Sequence, residues 1–318
     1  MSESIIWGGV FIFSLTTLII SADFFIKASE RIGIALGIPP FIIGVTLIAL
    51  GTSLPELVTS IIAVLNDNPE IVSGNVVGSN IANICLVLGL IAVLARKIKL
   101  KHDIMRVDMP ILMGATFLLY LAASDLKFTF YEGLLCISGL LIYLGYVFQL
   151  GKEGRQVSDS GNQRTRQRFS WKEPIILIAS GFAIYLSAKY NVRSIESLSS
   201  LLGVGTEFIA VTAVAFGTSL PELVVSVVAV KTGNTEMAVG NVLGSNIFNI
   251  FGVMGIPALM GGGFPIPESI VSFSLPLMVA VTLLVFFITL DKIINRWEGL
   301  ILFLFYALFM VNQIGGVI

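Results

Sequence analysis

The six residues Gly-Thr-Ser-Leu-Pro-Glu occur twice, at 51–56 and at 217–222, and each copy lies within a stretch apolar enough to cross a bilayer. Glu56 and Glu222 are therefore expected inside the membrane. A carboxylate there costs at least ~2.5 kcal/mol on insertion scales, so one is rarely kept without an ion, a proton or a counter-charge beside it. Neither span offers a Lys or Arg partner, and two matched carboxylates point to a cation pathway.

Composition fits a membrane setting. Hydrophobic residues make up 56% of the chain, charged residues 12%, and mean hydropathy is +0.94, whereas soluble domains carry about 25% charged residues. A helix needs about 20 apolar residues to cross the hydrocarbon core. Ten such stretches are expected, near 5–29, 39–65, 71–95, 104–123, 129–151, 173–190, 206–231, 237–260, 269–289 and 298–315. The fold class is thus an all-α polytopic membrane protein. Only Met-Ser-Glu-Ser precedes the first apolar run, and Lys27 and Arg31 follow it, so this run reads as a retained helix rather than a cleaved signal peptide. Basic residues are held on the cytoplasmic side. With both termini outside, sixteen of the 19 Lys and Arg residues face inward, and only Lys127, Lys189 and Arg193 face out. That orientation, in a cell (inner or plasma) membrane, is the expected one.

The chain is an internal duplication. The two hexapeptides are 166 residues apart (51 to 217), and the same offset aligns Gly74-Asn75-Val76-Val77-Gly78-Ser79-Asn80-Ile81-Ala82-Asn83 with Gly240-Asn241-Val242-Leu243-Gly244-Ser245-Asn246-Ile247-Phe248-Asn249 without a gap. It also aligns Ser21-Ala22 with Ser187-Ala188 and Glu30 with Glu196. Each unit then holds five helices: residues 1–151, with motif region 39–95, and residues 172–318, with motif region 206–260. A basic, Ser/Gln-rich cytoplasmic linker at 152–171 joins them. An odd number of helices makes the second copy enter from the opposite side, so the two five-helix repeats are inverted, an arrangement that places substrate sites near the midplane on interrupted helices.

The motif chemistry suits a hard cation. Pro55 and Pro221 lack an N–H and clash with the carbonyl four residues back, so each helix is expected to kink and to free the Gly51 and Gly217 carbonyls. Freed carbonyls in a membrane need partners, which a cation can be. Thr52 and Glu56 are four residues apart, as are Thr218 and Glu222, Ser79 and Asn83, and Ser245 and Asn249, so each pair is expected on one helix face. All these ligands are oxygens, and Ca²⁺ takes 6 to 8 of them. Without thiolate or imidazole, zinc and copper are disfavoured. Two carboxylates match one Ca²⁺ or two Na⁺, and an empty pair in low dielectric attracts protons, so Ca²⁺, Na⁺ and H⁺ should compete.

Other features have plainer readings. Cys85 and Cys136 fall in different spans and read as small apolar groups rather than a disulfide or metal pair. The Gly74/Gly78 and Gly240/Gly244 pairs read as close helix contacts, and Asn80 and Asn246, which point away from the Ser/Asn faces, as interhelical hydrogen-bond formers. Asp23 reads as interfacial. The sole histidine, His102, sits in a basic loop, and no Ser/His or acidic cluster suggests hydrolysis, so the protein does not read as an enzyme, and no cofactor or nucleic-acid partner is implied. A Ca²⁺/H⁺ antiporter using the same glutamates and a cation channel stay open as alternatives.

The paired Gly-Thr-Ser-Leu-Pro-Glu and Gly-Asn-Val-xxx-Gly-Ser-Asn-Ile-xxx-Asn segments resemble the two α-repeats of the cation/Ca²⁺ exchanger superfamily, in its prokaryotic sodium/calcium exchanger branch. The resemblance implies ten helices, two inverted halves and Na⁺-driven Ca²⁺ antiport by alternating access. In that reading Glu56 and Glu222 are the central Ca²⁺-binding carboxylates, shared with Na⁺, and Thr52 and Thr218 ligate beside them, chiefly through carbonyls. Ser53, Ser219, Ser79 and Ser245 help form flanking Na⁺ sites. Ala49 and Ala215 match positions whose carbonyls bind ions, and Asn83 and Asn249 complete the central ring. Some relatives, including the K⁺-dependent branch, carry Asp at the position of Asn249, so the resemblance implies a K⁺-independent exchanger.

Overall fold

The computed structural model describes residues 2–36, 38–160, 171–201 and 219–315. Nearly all of them are helical: α1 (Ser2–Leu36), α2 (Pro40–Ile43), α3 (Ala49–Thr52), α4 (Leu54–Leu65), α5 (Glu70–Ala82), α6 (Gly89–Ala95), α7 (Asp108–Ala122) and α8 (Phe130–Ser160), then α9 (Lys172–Leu201), α10 (Leu220–Lys231), α11 (Thr235–Phe248), α12 (Met254–Gly261), α13 (Leu275–Ile288) and α14 (Arg296–Gly315). Wider π-type turns join some of these into longer rods, at Gly44–Ile48, Asn83–Leu88, Asn249–Val253 and Ile270–Ser274.

Seven helical stretches among the described residues are long and apolar enough to span a bilayer. The protein is thus a multi-pass membrane protein, although length and apolarity alone do not return the expected ten. The span expected at 104–123 is a helix of only 15 residues, the one at 206–231 lies half outside the described residues, and α14 carries polar residues at both ends. Three helices outrun their expected spans, because Lys, Glu, Arg and Gln are good helix formers and carry the helix beyond its apolar stretch. The segment expected as linker accordingly begins as a helical extension of α8 to Ser160, and residues 161–170 lie outside the described ones.

Four three-residue strands form two antiparallel ribbons that the sequence did not announce. β1 (Lys97–Lys99) pairs with β4 (Ile293–Asn295), and β2 (Lys127–Thr129) with β3 (Gly263–Pro265). Each strand recurs 166 residues later, β1 as β3 (97 to 263) and β2 as β4 (127 to 293), and the registers match: Ile98 faces Ile294 as Phe264 faces Phe128. Left-handed residues recur at the same offset, Asp67 with Gly233, Arg96 with Gly262 and Leu126 with Lys292. The duplication is thus visible in turn geometry as well as in motifs.

Two bodies organise the packing. α1 and α9 run along each other, tied near one end by Asn191 Nδ2, which donates to Ser14 Oγ at 3.2 Å, and near the other by an Arg31–Glu173 ion pair at 3.0 Å. Asp23 pairs with Lys27 at 2.6 Å and is partly exposed. The remaining helices build the core around α5 and α11. α11 crosses the Pro40–Ile48 segment so closely that a Cβ on Gly244 would lie 2.6 Å from Val45 Cα, and one on Gly240 2.5 Å from the Phe41 carbonyl. Gly240 and Gly244 are close helix contacts, as expected, but a Cβ on Gly74 or Gly78 would meet nothing within 4 Å, so the matching pair of the first half is not one.

Candidate ion-binding site

The first motif ends one helix and starts another. Ser53, at φ −88° and ψ 2°, separates α3 from α4, and Pro55 stands in the first turn of α4, where its missing N–H costs nothing. Ser219 adopts the same conformation, φ −85° and ψ 2°, ahead of Pro221. In the first motif the expected kink is therefore an interruption at Ser53, two residues before the proline; the residues ahead of Ser219 lie outside the described ones. Thr52 ends one helix and Glu56 stands in the first turn of the next, both buried. Ala49 O accepts the Ser53 N–H at 3.0 Å and lies 3.4 Å from Thr52 Oγ1. Gly217, Thr218 and Ala215 lie outside the described residues.

Glu56 and Glu222 are both fully buried, each in the first turn of its helix, where the helix dipole favours negative charge. Hydrogen bonds then stitch the two halves together around them. Ser53 Oγ donates to Glu222 Oε1 at 3.2 Å, Thr52 Oγ1 donates to Asn241 Oδ1 at 3.1 Å and lies 3.4 Å from Ser245 Oγ, and Asn249 Nδ2 donates to Ser79 Oγ at 3.1 Å. Each of these joins a residue of the first half to one of the second.

Asn83 and Asn249 occupy matched places, each opening a π-type turn inside a buried helix. Such turns widen the helix locally and recur at functional sites. The Asn83 segment packs against α10, which carries Glu222, and the Asn249 segment packs against α4, which carries Glu56. Asn80 and Asn246 cross-link the halves, each side-chain amide donating to the other's backbone carbonyl at 3.5 and 3.4 Å.

Sequence reasoning assigned no role to Asn75 and Asn241. Asn75 Nδ2 donates to Ser60 Oγ at 3.0 Å and to the Glu56 carbonyl at 3.1 Å, and Asn241 Nδ2 donates to Ser226 Oγ at 2.9 Å. These bonds lock each carboxylate-bearing helix to the next helix of its own half. The signal was present, since Ser60 and Ser226 repeat at the same 166-residue offset as the asparagines.

Several buried atoms here lack a hydrogen-bond partner among the described residues: both carboxylate oxygens of Glu56, Glu222 Oε2, the side-chain oxygens of Asn83 and Asn249, and Ser219 Oγ. Buried polar atoms are normally satisfied. A carboxylate, amide and hydroxyl set of this kind suits an oxygen-seeking cation and lacks the soft donors that a transition metal prefers.

The model of the family described as sodium/calcium exchanger protein matches the chain twice, over residues 6–149 and 172–315. The chain belongs to the sodium/calcium exchanger family. The two matches are themselves offset by 166 residues (6 to 172), the interval of the motifs. Among relatives, the sodium/calcium exchanger MaX1 of Methanosarcina acetivorans is 35% identical, over 95% of this chain and 97% of its own. The inner membrane protein YrbG of Escherichia coli is 32% identical over 79% of each. Among solved structures, the sodium-calcium exchanger NCX_Mj, soaked with Na⁺ and Sr²⁺, superposes with a TM-score of 0.82 at 29% identity, covering 96% of this chain and 98% of that one. Its family places this exchanger among transporters, the prokaryotic members of the cation/Ca²⁺ exchanger superfamily included.

Proposed function

We propose that the protein is a Na⁺/Ca²⁺ antiporter whose ions share one site built on Glu56 and Glu222. The observation that carries this reading is two fully buried carboxylates, one from each copy of the motif, joined by hydrogen bonds across the two halves, with no Lys or Arg ion-paired to either among the described residues. Thr52, Ser53, Ser79, Ser219, Ser245, Asn83 and Asn249 surround them as further oxygen ligands, with Thr218 and the Ala49 and Ala215 carbonyls assigned by resemblance.

The coupling follows from charge and space. One Ca²⁺ neutralises two carboxylates, as do two Na⁺, and both loads together would leave excess positive charge in a buried site. Occupancy by one ion therefore excludes the other, which is sufficient for exchange when the site opens to one side at a time. The recurrence of strands, turns and π segments at one offset supports ten helices in two inverted repeats. The separate α1–α9 pair supports alternating access, with the pair sliding across the core. The positive-inside count supports both termini outside, placing β1 and β4 on the cytoplasmic side.

The test is ⁴⁵Ca²⁺ uptake into proteoliposomes with and without internal Na⁺ under a pH clamp. Uptake that needs internal Na⁺ is expected. Uptake that follows an imposed pH gradient instead would overturn this reading in favour of Ca²⁺/H⁺ antiport through the same glutamates.

A further inference from the structure

Beside the first motif a cleft of about 490 Å³, lined by neither carboxylate, separates the α1–α9 pair from the interrupted helix. That volume lies within the roughly 300–1,000 Å³ typical of small-molecule pockets. Its floor is buried: Phe25 is 3% exposed, and its ring would lie 2.5 Å from a Cβ on Gly51 and 3.4 Å from one on Gly181. Pro55, also buried, closes the inner wall. The mouth is open, with Ile178 73% and Phe182 61% exposed. Among its lining residues the Tyr185 hydroxyl is the sole polar side-chain group, and no charged side chain lines it.

We propose that this cleft holds one acyl chain of a bilayer phospholipid, seated against the same helix break that carries Thr52 and Glu56. The mouth opens from α9, which is long and apolar enough to span the bilayer, so the medium outside it is hydrocarbon. Water would find almost no hydrogen-bond partners within. A chain entering the cleft gains dispersion contacts with walls that otherwise face a void. Its functional consequence rests on the alternating-access reading. The chain fills the space that the α1–α9 pair would close as it slides past Gly51, so its fit sets how readily the pair moves.

The experiment uses the full chain in proteoliposomes containing phosphatidylcholine with a diazirine at the end of one acyl chain. After illumination, peptide mapping is expected to find adducts on the buried Phe25 and Pro55 as well as at the mouth. Val58→Trp, which fills the cleft, should remove the Phe25 and Pro55 adducts, keep those on Ile178 and Phe182, and lower turnover severalfold at unchanged Ca²⁺ half-saturation. Adducts confined to Ile178 and Phe182 in the unmodified protein would overturn the proposal, as would cross-links through the cleft to a second copy of the chain or adducts that survive Val58→Trp. Labelling needs no transport. Adducts on Phe25 and Pro55 in a protein without Na⁺-driven uptake would therefore support the lipid site while overturning the exchange reading.

Discussion

Gly244→Ala tests whether the close crossing of α11 over the first motif segment sets the ion site. The added Cβ would lie 2.6 Å from both the Cα and the carbonyl of Val45, against about 3.4 Å for an ordinary contact. Both of these atoms are backbone, and the third neighbour, Ala49 Cβ at 2.9 Å, cannot rotate aside, so the two segments must separate by about 0.8 Å. Overpacking of this kind costs about 1–3 kcal/mol of stability. The larger effect falls on the site, because α11 carries Asn241 and Ser245 against Thr52, and Ca²⁺–oxygen distances tolerate a range of only about 0.3 Å. A displacement more than twice that range should raise the Ca²⁺ concentration for half-maximal uptake at least tenfold. The assay is Na⁺-driven ⁴⁵Ca²⁺ uptake in proteoliposomes, with the amount of folded protein checked by size-exclusion chromatography. Gly8→Ala, where a Cβ meets nothing within 4 Å, serves as the control. A folded Gly244→Ala protein with unaltered half-saturation would refute the claim that this crossing positions the ligands.

Glu56→Gln and Glu222→Gln should each abolish Ca²⁺ uptake while leaving a folded protein, since each removes one of two charges and little volume; wild-type uptake by either would remove the central claim. Asn249→Asp adds a negative charge beside Ser79 and should make uptake sensitive to K⁺, and unchanged ion dependence in parallel flux assays would count against that role. Replacing Asn80 alone by Ala should cost about 0.5–1.5 kcal/mol, because the Asn246 carbonyl loses its cross-helix donor and keeps only the Asn249 N–H; each amide donates to the other's backbone, which Ala retains, so the Asn80→Ala/Asn246→Ala pair should cost close to the sum of the two singles in a thermal-unfolding cycle. Lys292 sits 2.9 Å from Asp103 and holds that carboxyl below the usual aspartate range. A depressed folded value means the tie is present above about pH 4 and is lost as pH falls further, so Lys292→Met should move the Asp103 titration toward about 3.9 by ¹³C NMR.

The parts of this protein that were legible in its sequence are those where chemistry is punished by its surroundings. Glu56 and Glu222 stood out because hydrocarbon penalises a charge, and both prove fully buried in matched places. Asn80 and Asn246 were read as cross-helix hydrogen-bond formers because they point away from the Ser/Asn faces, and they bond each other's backbones. The helix break at Ser53 was misplaced as a kink at Pro55, because proline marks where a new helix starts as readily as where an old one bends. The ribbons were invisible, since three residues such as Lys97–Lys99 are too few to show a period of two. The π turns at Asn83 and Asn249 were also illegible, because an extra residue in a turn is imposed by packing against α10 and α4 rather than by local propensity.

Both ribbons join a strand of the first half to a strand of the second, and this bears on how the protein is made. Lys97 waits for Asn295, so β1 leaves the ribosome with its edge unpaired until nearly the whole chain has been synthesised. The first half consequently reaches the membrane carrying unmet backbone groups and a buried carboxylate whose neighbours do not yet exist. Assembly must be a late, concerted event, in which the arrival of the second half closes both ribbons and the ion site together.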